Sequence, residues 1–412
     1  MRVAVLGAGL QGVCAALNLS ERGCLVDLFE SGREPISRAS LWNEGKIHLG
    51  FVFAHDRSLR TAKLMITGSL HFTPILSRWI PEAELAALKS LRFHYLVPHD
   101  SLLSVDDVDA HLRAVKKLYA EAVNYFDRDY FGADANSLFE KLPEQSLADY
   151  FNPEMFQGGF CTAEIALDVH AIGRKLRSAI AGGRGIRLLN NTMVESIQGT
   201  RNGPLHVTTA GAARPAGPYN YVVNALWSDR LRIDATFGIT TRRPWLYRRK
   251  VALHLTGGPR SNVPPSTTMV LGPYGDVVNF GNGNYYLSWY PLSRIDSTRA
   301  ISPPPDWTDA LPKLQRVSLR KEIPRRLCRF IPSMESLFGV AKDAAVEGGT
   351  IFAWGRGDID TPATELHQRH DIGVHSYGCY HSIDTGKYCM APYFADQLAE
   401  TIAPRRRVLT IS

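Results

Sequence analysis

Three glycines and one carboxylate near the start of the chain have the types and spacing to hold the diphosphate of a dinucleotide. Gly7, Gly9 and Gly12 form a GxGxxG between the apolar run Arg2-Val3-Ala4-Val5-Leu6 and residues 10–22, where alanine and leucine recur at helical spacing. The first glycine permits a tight turn, the second lets backbone approach a pyrophosphate, and the third lets the helix pack closely on the strand. Phosphate would meet the unpaired N–H groups of the helix start at Leu10 and Gln11, at the positive helix end. Glu30 follows Gly12 by 18 residues, close to the roughly 20 expected for a carboxylate that accepts hydrogen bonds from ribose hydroxyls. A carboxylate there disfavours a 2′-phosphate, which leaves NAD or FAD, and the motif does not separate the two. No paired-carboxylate site, Ser-His-Asp arrangement or P-loop stands beside it, so hydrolase and kinase chemistry lack support.

The elements around the motif read as strand, glycine turn, helix and strand, with Gly23 stopping the helix and residues 25–30 forming the second apolar run. The next βα unit of a plain nicotinamide-binding domain does not follow. Residues 31–50 are instead rich in Ser, Gly and Arg. Asp56 is expected to cap a helix reaching about Trp79, and Ser104 with Asp107 resembles a capping box. Behind that box Val108, Leu112, Val115, Tyr119, Ala122 and Phe126 form the stripe of an amphipathic helix. A second βα signal spans 168–197, with a Gly182-Gly183 stop and strands at 186–189 and 193–197, and residues 221–225 read as one more buried strand. From Trp245 to Trp354 short β-rich runs alternate with Gly and Pro. Residues 302–305 mark a loop, and a helix from Lys313 is expected to end at Pro324. The chain closes with an apolar run at 371–376, a glycine-bearing loop to about Met390 and a helix over 392–402.

This pattern predicts an α/β plus α+β fold: a discontinuous Rossmann-like nucleotide-binding domain (1–57, 155–232 and 366–404) and a mostly antiparallel β-sheet substrate or cap domain (58–154 and 233–365), with a basic tail at 405–412. The length of 412 residues, 45% apolar and 21% charged, suits two or three globular domains. Six scattered cysteines include no CxxC pair, so neither a disulfide framework nor a metal site is expected, and a reducing cytoplasm fits. The N-terminus does not read as a signal peptide, and no apolar run approaches the roughly 18 residues of a spanning helix. The net charge of +7 is partly grouped at Arg242, Arg243, Arg248, Arg249 and Lys250, at Arg320, Lys321, Arg325, Arg326 and Arg329, and at 405–407. Such groups are usually solvated faces. Attraction of an anionic substrate, lipid headgroups or RNA is the functional alternative, and there is no strong nucleic-acid signal.

The stretch Ser37-Arg38-Ala39-Ser40-Leu41-Trp42-Asn43-Glu44-Gly45-Lys46-Ile47-His48-Leu49-Gly50 resembles the second flavin-contacting segment of the D-amino-acid-oxidase-like superfamily of FAD-dependent oxidoreductases, and its Asn-x-Gly-x-Ile-His-x-Gly core is most similar to the hydroxyglutarate branch. Residues 162–197 resemble the family's βα return, with Val194 at the adenine, and 222–225 resemble the strand that closes the nucleotide domain. Residues 375–395 are similar to the C-terminal flavin loop. The resemblance implies FAD as cofactor. Its contacts would come from the glycine loop, Glu30 and Ser31; from Ser40, Asn43, Gly45, Lys46, Ile47 and His48; from Val194, Asn224 and Ala225; and from Gly378, Asp384, Thr385, Gly386, Lys387 and Tyr388. One departure is Leu226-Trp227, where the family usually has glycine after Asn-Ala, which argues against close backbone approach at that corner.

A flavin accepts two electrons from a C–H bond beside nitrogen or oxygen, while the protein orients the substrate and tunes the ring. His48 is the first candidate for the group that takes the substrate's proton, with a structural histidine as the alternative. Lys387 and the helix after it would stabilise charge on the reduced ring. Lys250 would lie over the flavin or belong to a basic cluster, Arg356 would clamp a carboxylate, and Tyr377, Tyr380 and His381 would line the pocket, as would Trp289 and Tyr290. Asn43 and Lys46 could touch cofactor or substrate, and for Lys46 a solvated surface position is the expectation. The function implied is an FAD-dependent oxidase or dehydrogenase acting on the C–N or C–OH bond of a small, anionic amino or hydroxy acid, with O2, quinone or another carrier as acceptor. A flavin-dependent modifier of a larger substrate (carrier-bound residue, sugar or tRNA) and a non-catalytic dinucleotide-binding protein are the alternatives.

Overall fold

Alternating burial along the first strand decides how the nucleotide-binding half is built. In the computed structural model, which describes residues 1–261, 263–358 and 364–405, Arg2–Leu6 turns Val3 and Val5 toward one core and Ala4 and Leu6 toward another. A strand buried on both faces belongs inside a parallel sheet. The sheet has six strands in the order Gly373–Tyr377, Tyr380–Asp384, Tyr221–Asn224, Arg2–Leu6, Leu25–Phe29 and Ile186–Leu189. Every pairing is parallel except that of the Gly373–Tyr377 edge strand with Tyr380–Asp384. Helix Leu10–Glu21 covers one face and is bound to helix Ala391–Ile402 through Arg22, which pairs with Asp396 and Glu400. The other face packs on a three-stranded antiparallel sheet of Val194–Gly199, Leu205–Thr209 and Ala216–Tyr219.

The second sheet has nine strands. Its order is Arg294–Thr298, Trp245–Thr256, Tyr285–Trp289, Gly275–Asn279, Ser266–Met269, Phe93–Pro98, Phe156–Thr162 and Phe139–Lys141, with Asp343–Trp354 paired along the length of Trp245–Thr256. The pairing of Ser266–Met269 with Phe93–Pro98 is parallel and the rest are antiparallel. Phe156–Thr162, placed by the expected boundary at 155 with the nucleotide-binding part, pairs here instead, because Phe156 and Phe160 bury their rings within this half.

Strand Trp245–Thr256 sorts its side chains by period two. Val251, Leu253 and Leu255 join Leu319, Ile323 and Leu327 of helix Lys313–Cys328 in one core, which leaves Arg248, Lys250 and His254 for the face toward the nucleotide-binding half. That helix runs through Pro324 instead of ending there. The lost hydrogen bond and ring clash cost about 3 kcal/mol, and burial of three large aliphatic side chains at about 1.5–3 kcal/mol each offsets it.

Helix Val105–Phe126 has the capping box, with Asp107 N donating to Ser104 Oγ at 3.1 Å and Ser104 N to Asp107 Oδ2 at 3.2 Å. Helix Arg60–Leu76 starts later than Asp56, whose carboxylate accepts from Ser58 N and Thr61 N at 3.1 Å each. Among the described residues no helix is long and apolar enough to cross a membrane.

Candidate active site

Four parallel strands end at one edge of the six-stranded sheet, with Leu6, Phe29, Asn224 and Asp384 as their last residues. Ligands of open α/β sheets bind beyond this edge. Gly7 turns there with φ +90°, and a Cβ on Gly12 would lie 1.8 Å from Gly7 O, so the third glycine is obligatory. Helix Leu10–Glu21 has no side-chain cap from Gly9 and no acidic residue in its first turn, so its start suits an anion, although Leu10 N, expected to be unpaired, is taken by Ser40 Oγ. Glu30 is buried and already placed, its carboxylate accepting from Ala8 N at 3.0 Å and Gly32 N at 2.7 Å, with Ser31 Oγ at 3.4 Å. Ser40 Oγ accepts from Leu10 N at 2.9 Å and so attaches the 37–50 segment to the glycine loop. Gln11 spans to the C-terminal loop, donating to Ala391 O at 3.2 Å and accepting from Thr385 Oγ1 at 3.1 Å. Thr192 N, two residues before Val194, donates to Glu30 O, and Val194 O accepts from Arg232 at 3.0 Å.

The Leu226-Trp227 departure is absorbed locally. A Cβ on Gly7 would sit 2.9 Å from Ala225 O and 3.1 Å from Leu226 Cα, so the close approach is achieved from the glycine's side. Leu226 packs with the core that holds Ala4 and Leu6, and Trp227 adopts φ +54° and donates its indole N–H to Thr350 O at 2.7 Å. The side chain of Asn224 is not free for a cofactor. Its amide donates to Arg230 O, Asp234 and the Tyr380 hydroxyl, and its oxygen accepts from Leu226 N.

The 37–50 segment folds by its own polar groups. Asn43 donates to Ala39 O at 2.9 Å and accepts from Gly45 N at 2.8 Å. Gly45 has φ +65° and abuts Leu167 O, and Lys46–Ile47 pairs with Ile165–Ala166. Ile47 O accepts from Tyr130 OH at 2.6 Å. Contrary to the surface role expected of it, Lys46 is buried: it donates to Thr268 Oγ1, lies 3.8 Å from Asp276, and sits 4.0 Å above the Phe93 ring. Both residues of this two-residue strand are buried, Lys46 by Phe93, Thr268 and Asp276 of the large sheet.

His48 is buried between two carboxylates, with Nδ1 3.5 Å from Glu164 and Nε2 3.7 Å from Glu44. Glu164 is fully buried and accepts from Leu49 N at 2.8 Å and from the Tyr95 hydroxyl. Burial alone would raise its pKa, but His48, Lys46 and that hydroxyl together hold the carboxyl below its usual range. Burial of Glu44 is likewise outweighed, by His48, Lys387, Lys250 and Lys46, which hold it well below the usual range.

Around Glu44 stand cations from separate segments. Lys387, its amine 5.5 Å from the Phe53 ring centroid, is pulled down to about 8 by burial and by Arg369 and Lys46, against the pull of Glu44. For Lys250, burial is outweighed by Tyr286, Glu44 and Asp276, so its pKa is raised. Arg369 is lowered to about 9 by burial and by Arg248, and its guanidinium is anchored to Phe352 O and Leu366 O at 2.8 Å each. Arg248 donates to Tyr290 OH at 2.8 Å, and Tyr290 donates to Asp358 at 2.8 Å.

Glu44, Glu164, Arg248 and Arg369 were not singled out as site residues from the sequence. The one usable signal was the two-residue spacing of Arg248 and Lys250 on a strand, which gives them a common face. Arg356, expected to clamp a carboxylate, is exposed, and its backbone N–H is held by Glu365 at 2.8 Å. Tyr377 and Gly378 lie on the hairpin at the opposite edge of the sheet, where Gly378 presses on Arg201 and Tyr377 faces the same arginine. That edge is roughly 15 Å from the strand ends, from the rise of about five extended residues. His381 pairs beside Val223 within the sheet, bonds Ser376 Oγ at 2.8 Å and is pulled down to about 4 by burial, so it takes no part in the cluster. Tyr380 braces Asp234, and Trp289 packs with Tyr274 and Phe330 on the far face of the large sheet. At the switch edge Asp384 accepts from Trp354 Nε1 at 2.6 Å and from Arg230 at 3.1 Å, Gly386 has φ +62°, and Tyr388 faces Phe72.

A diphosphate cradle on a parallel sheet, faced by buried charged side chains from a large, mostly antiparallel sheet, defines a dinucleotide-dependent enzyme of the flavoprotein class. The chain belongs to the DAO family: a family model described as FAD dependent oxidoreductase matches residues 2–355, and its cofactor is FAD. No protein of curated function matches the sequence. Among solved structures, glycine oxidase from Geobacillus kaustophilus is similar at 15% identity and TM-score 0.67, over 99% of this chain and 96% of that one. L-alpha-glycerophosphate oxidase from Mycoplasma pneumoniae with FAD bound gives 15% and 0.66, over 97% and 94%. L-proline dehydrogenase from P. horikoshii gives 14% and 0.61, over 97% and 92%. At such identity the likeness concerns the fold. The residues present fit FAD: the Gly7–Gly12 contact that no Cβ tolerates, the helix start without an acidic residue and the pre-bonded Glu30 would hold its diphosphate and ribose.

Proposed function

We propose that the protein oxidises a small anionic amino or hydroxy acid at its C–N or C–OH bond. The observation that supports this reading is the convergence of Lys250, Arg369 and Lys387 about Glu44, directly beside His48, with Arg248 next to Arg369 and 3.6 Å from Asp358. Bound FAD supplies the two-electron acceptor. Arg248 and Arg369, braced by Tyr290 and by backbone carbonyls, are suited to a carboxylate, since guanidinium forks bind it in two-point fashion. His48, with Nδ1 toward Glu164 and Nε2 toward Glu44, is the group that takes the substrate's N–H or O–H proton. Lys387, cationic below pH about 8, stabilises negative charge that develops in the pocket. Lys46, with Thr268 and Asp276 beneath, sets the floor on which the segment carrying Glu44 and His48 rests.

The test is an anaerobic screen of FAD-loaded protein against small amino acids, hydroxy acids and their uncharged amide or ester counterparts, following loss of the flavin colour. Acids that bleach the flavin while their neutral counterparts do not are expected. Bleaching by dithionite alone, or preference for the neutral compounds, overturns the reading. Arg248→Met is expected to raise the half-saturating acid concentration by about tenfold or more with flavin content unchanged.

A further inference from the structure

Helix Lys313–Cys328 carries a second surface on the side remote from the flavin-binding edge. Its buried positions Leu319, Ile323 and Leu327 recur at every fourth residue and pack under the nine-stranded sheet. Leu314, Val317, Lys321 and Arg325 stand at i, i+3, i+7 and i+11, the spacing of one helix face, and all four are exposed. Leu314 is 85% exposed, the highest value among the large apolar side chains of the described residues, and Val317 is 42% exposed. Cations crowd the rest of the outer surface. Residues 313–329 hold seven, Lys313, Arg316, Arg320, Lys321, Arg325, Arg326 and Arg329, against the single carboxylate Glu322. Glu322 pairs with Arg325 at 2.6 Å. This segment therefore accounts for most of the chain's net charge of +7.

We propose that this helix face docks the protein on an anionic lipid surface, with Leu314 and Val317 entering the headgroup boundary and the cations along the following turns meeting the lipid phosphates. A cationic helix with a few aliphatic side chains on its outer face is the pattern of an interfacial helix. An RNA-binding face would offer rings for bases to stack on, and the exposed stripe has none. Each cation near an anionic leaflet contributes roughly fivefold in partition, so five or six of them with two aliphatic anchors suffice for measurable and salt-sensitive attachment.

The experiment uses the full FAD-loaded chain and co-sedimentation with vesicles of phosphatidylglycerol and phosphatidylcholine, or of phosphatidylcholine alone, at low and high salt. Wild type is expected to pellet with the anionic vesicles at low salt and to stay in solution with the neutral ones. Leu314→Glu and Lys321→Glu are each expected to weaken retention by about tenfold or more at unchanged flavin content, since both side chains are exposed and neither lies near the cofactor cradle. Failure of wild type to bind anionic vesicles overturns the proposal. Retention that neither variant changes overturns it too, because attachment would then lie elsewhere. Displacement from vesicles by an RNA homopolymer that Leu314→Glu binds as well as wild type assigns the face to nucleic acid instead.

Discussion

Gly9→Ala and Gly12→Ala place the same methyl group on the same loop and are expected to fail for different reasons. At position 12 the new Cβ meets Gly7 O at 1.8 Å and Gly7 C at 3.0 Å. Both are backbone atoms, so relief requires the strand-to-helix turn to open by more than about 1 Å from contact distances near 3.5 Å. Alanine returns about 1 kcal/mol in helix propensity, whereas overpacking against a fixed wall costs about 1–3 kcal/mol or more. With a backbone wall 1.8 Å away the cost lies at the upper end or beyond, and a net loss of at least about 2 kcal/mol in the FAD-free protein follows, a factor of about 30 in the folding equilibrium. At position 9 the Cβ meets only Ser40 Oγ at 3.1 Å, and a hydroxyl can rotate away. The FAD-free Gly9→Ala protein should therefore melt within about 1 kcal/mol of wild type. Its methyl group nevertheless stands where backbone must approach the diphosphate, so FAD affinity is expected to fall by about a hundredfold, and that of Gly12→Ala by at least as much. Thermal melts of the FAD-free proteins, with FAD titrations followed by fluorescence quenching, separate the two effects. An FAD-free Gly12→Ala protein that melts like wild type, or Gly9→Ala with undiminished affinity, would refute the assignment of this loop as the cofactor cradle.

Glu164→Gln keeps the shape of a fully buried group and removes its charge beside His48, so flavin content should persist while the rate of flavin bleaching by substrate falls about 10- to 100-fold in anaerobic stopped flow; an unchanged rate would show that His48 acts without it. Glu164→Ala strands Leu49 N and the Tyr95 hydroxyl as well, and a loss of about 2–4 kcal/mol is expected in denaturant melts. Lys387 has a pKa of about 8 in the folded chain against an ordinary 10.5. Between those values the unfolded chain binds the extra proton, so stability of the FAD-free protein should rise with pH across that window, by at most about 3 kcal/mol. Lys387→Met should flatten that rise and stabilise the protein at pH 7, and a rise that survives the substitution would mean that another group carries it. Arg356→Ala is expected to leave substrate bleaching and half-saturation within about twofold of wild type, in contrast to Arg248→Met, because an exposed loop arginine contributes little.

Local rules were enough for the cofactor end of the molecule. The turn at Gly7, the helix that must touch it at Gly12 and the acid at Glu30 are near neighbours in sequence or joined by one βαβ unit, so their spacing encodes their geometry. The capping box at Ser104 and Asp107 is local in the same way. Pro324 misled because propensity is a weak prior once a helix face buries Leu319, Ile323 and Leu327. Phe156–Thr162 was assigned to the wrong half because strand partners are chosen by distant chain, here residues 93–98.

The substrate end was decided by tertiary structure alone. Glu164 reaches His48 across 116 residues, and Lys250, Arg369 and Lys387 reach Glu44 from three later segments. Whether a lysine such as Lys46 is solvated or buried above an aromatic ring, and whether an arginine such as Arg356 or Arg248 faces the pocket, depends on which face of a strand the opposing sheet covers. By itself the sequence determined that a dinucleotide is held at the chain's first turn, since that contact is short in sequence. The charges gathered around Glu44 and His48 follow only from the packing of two sheets, because Coulomb interactions depend on distance in space and burial, neither of which a linear chain records.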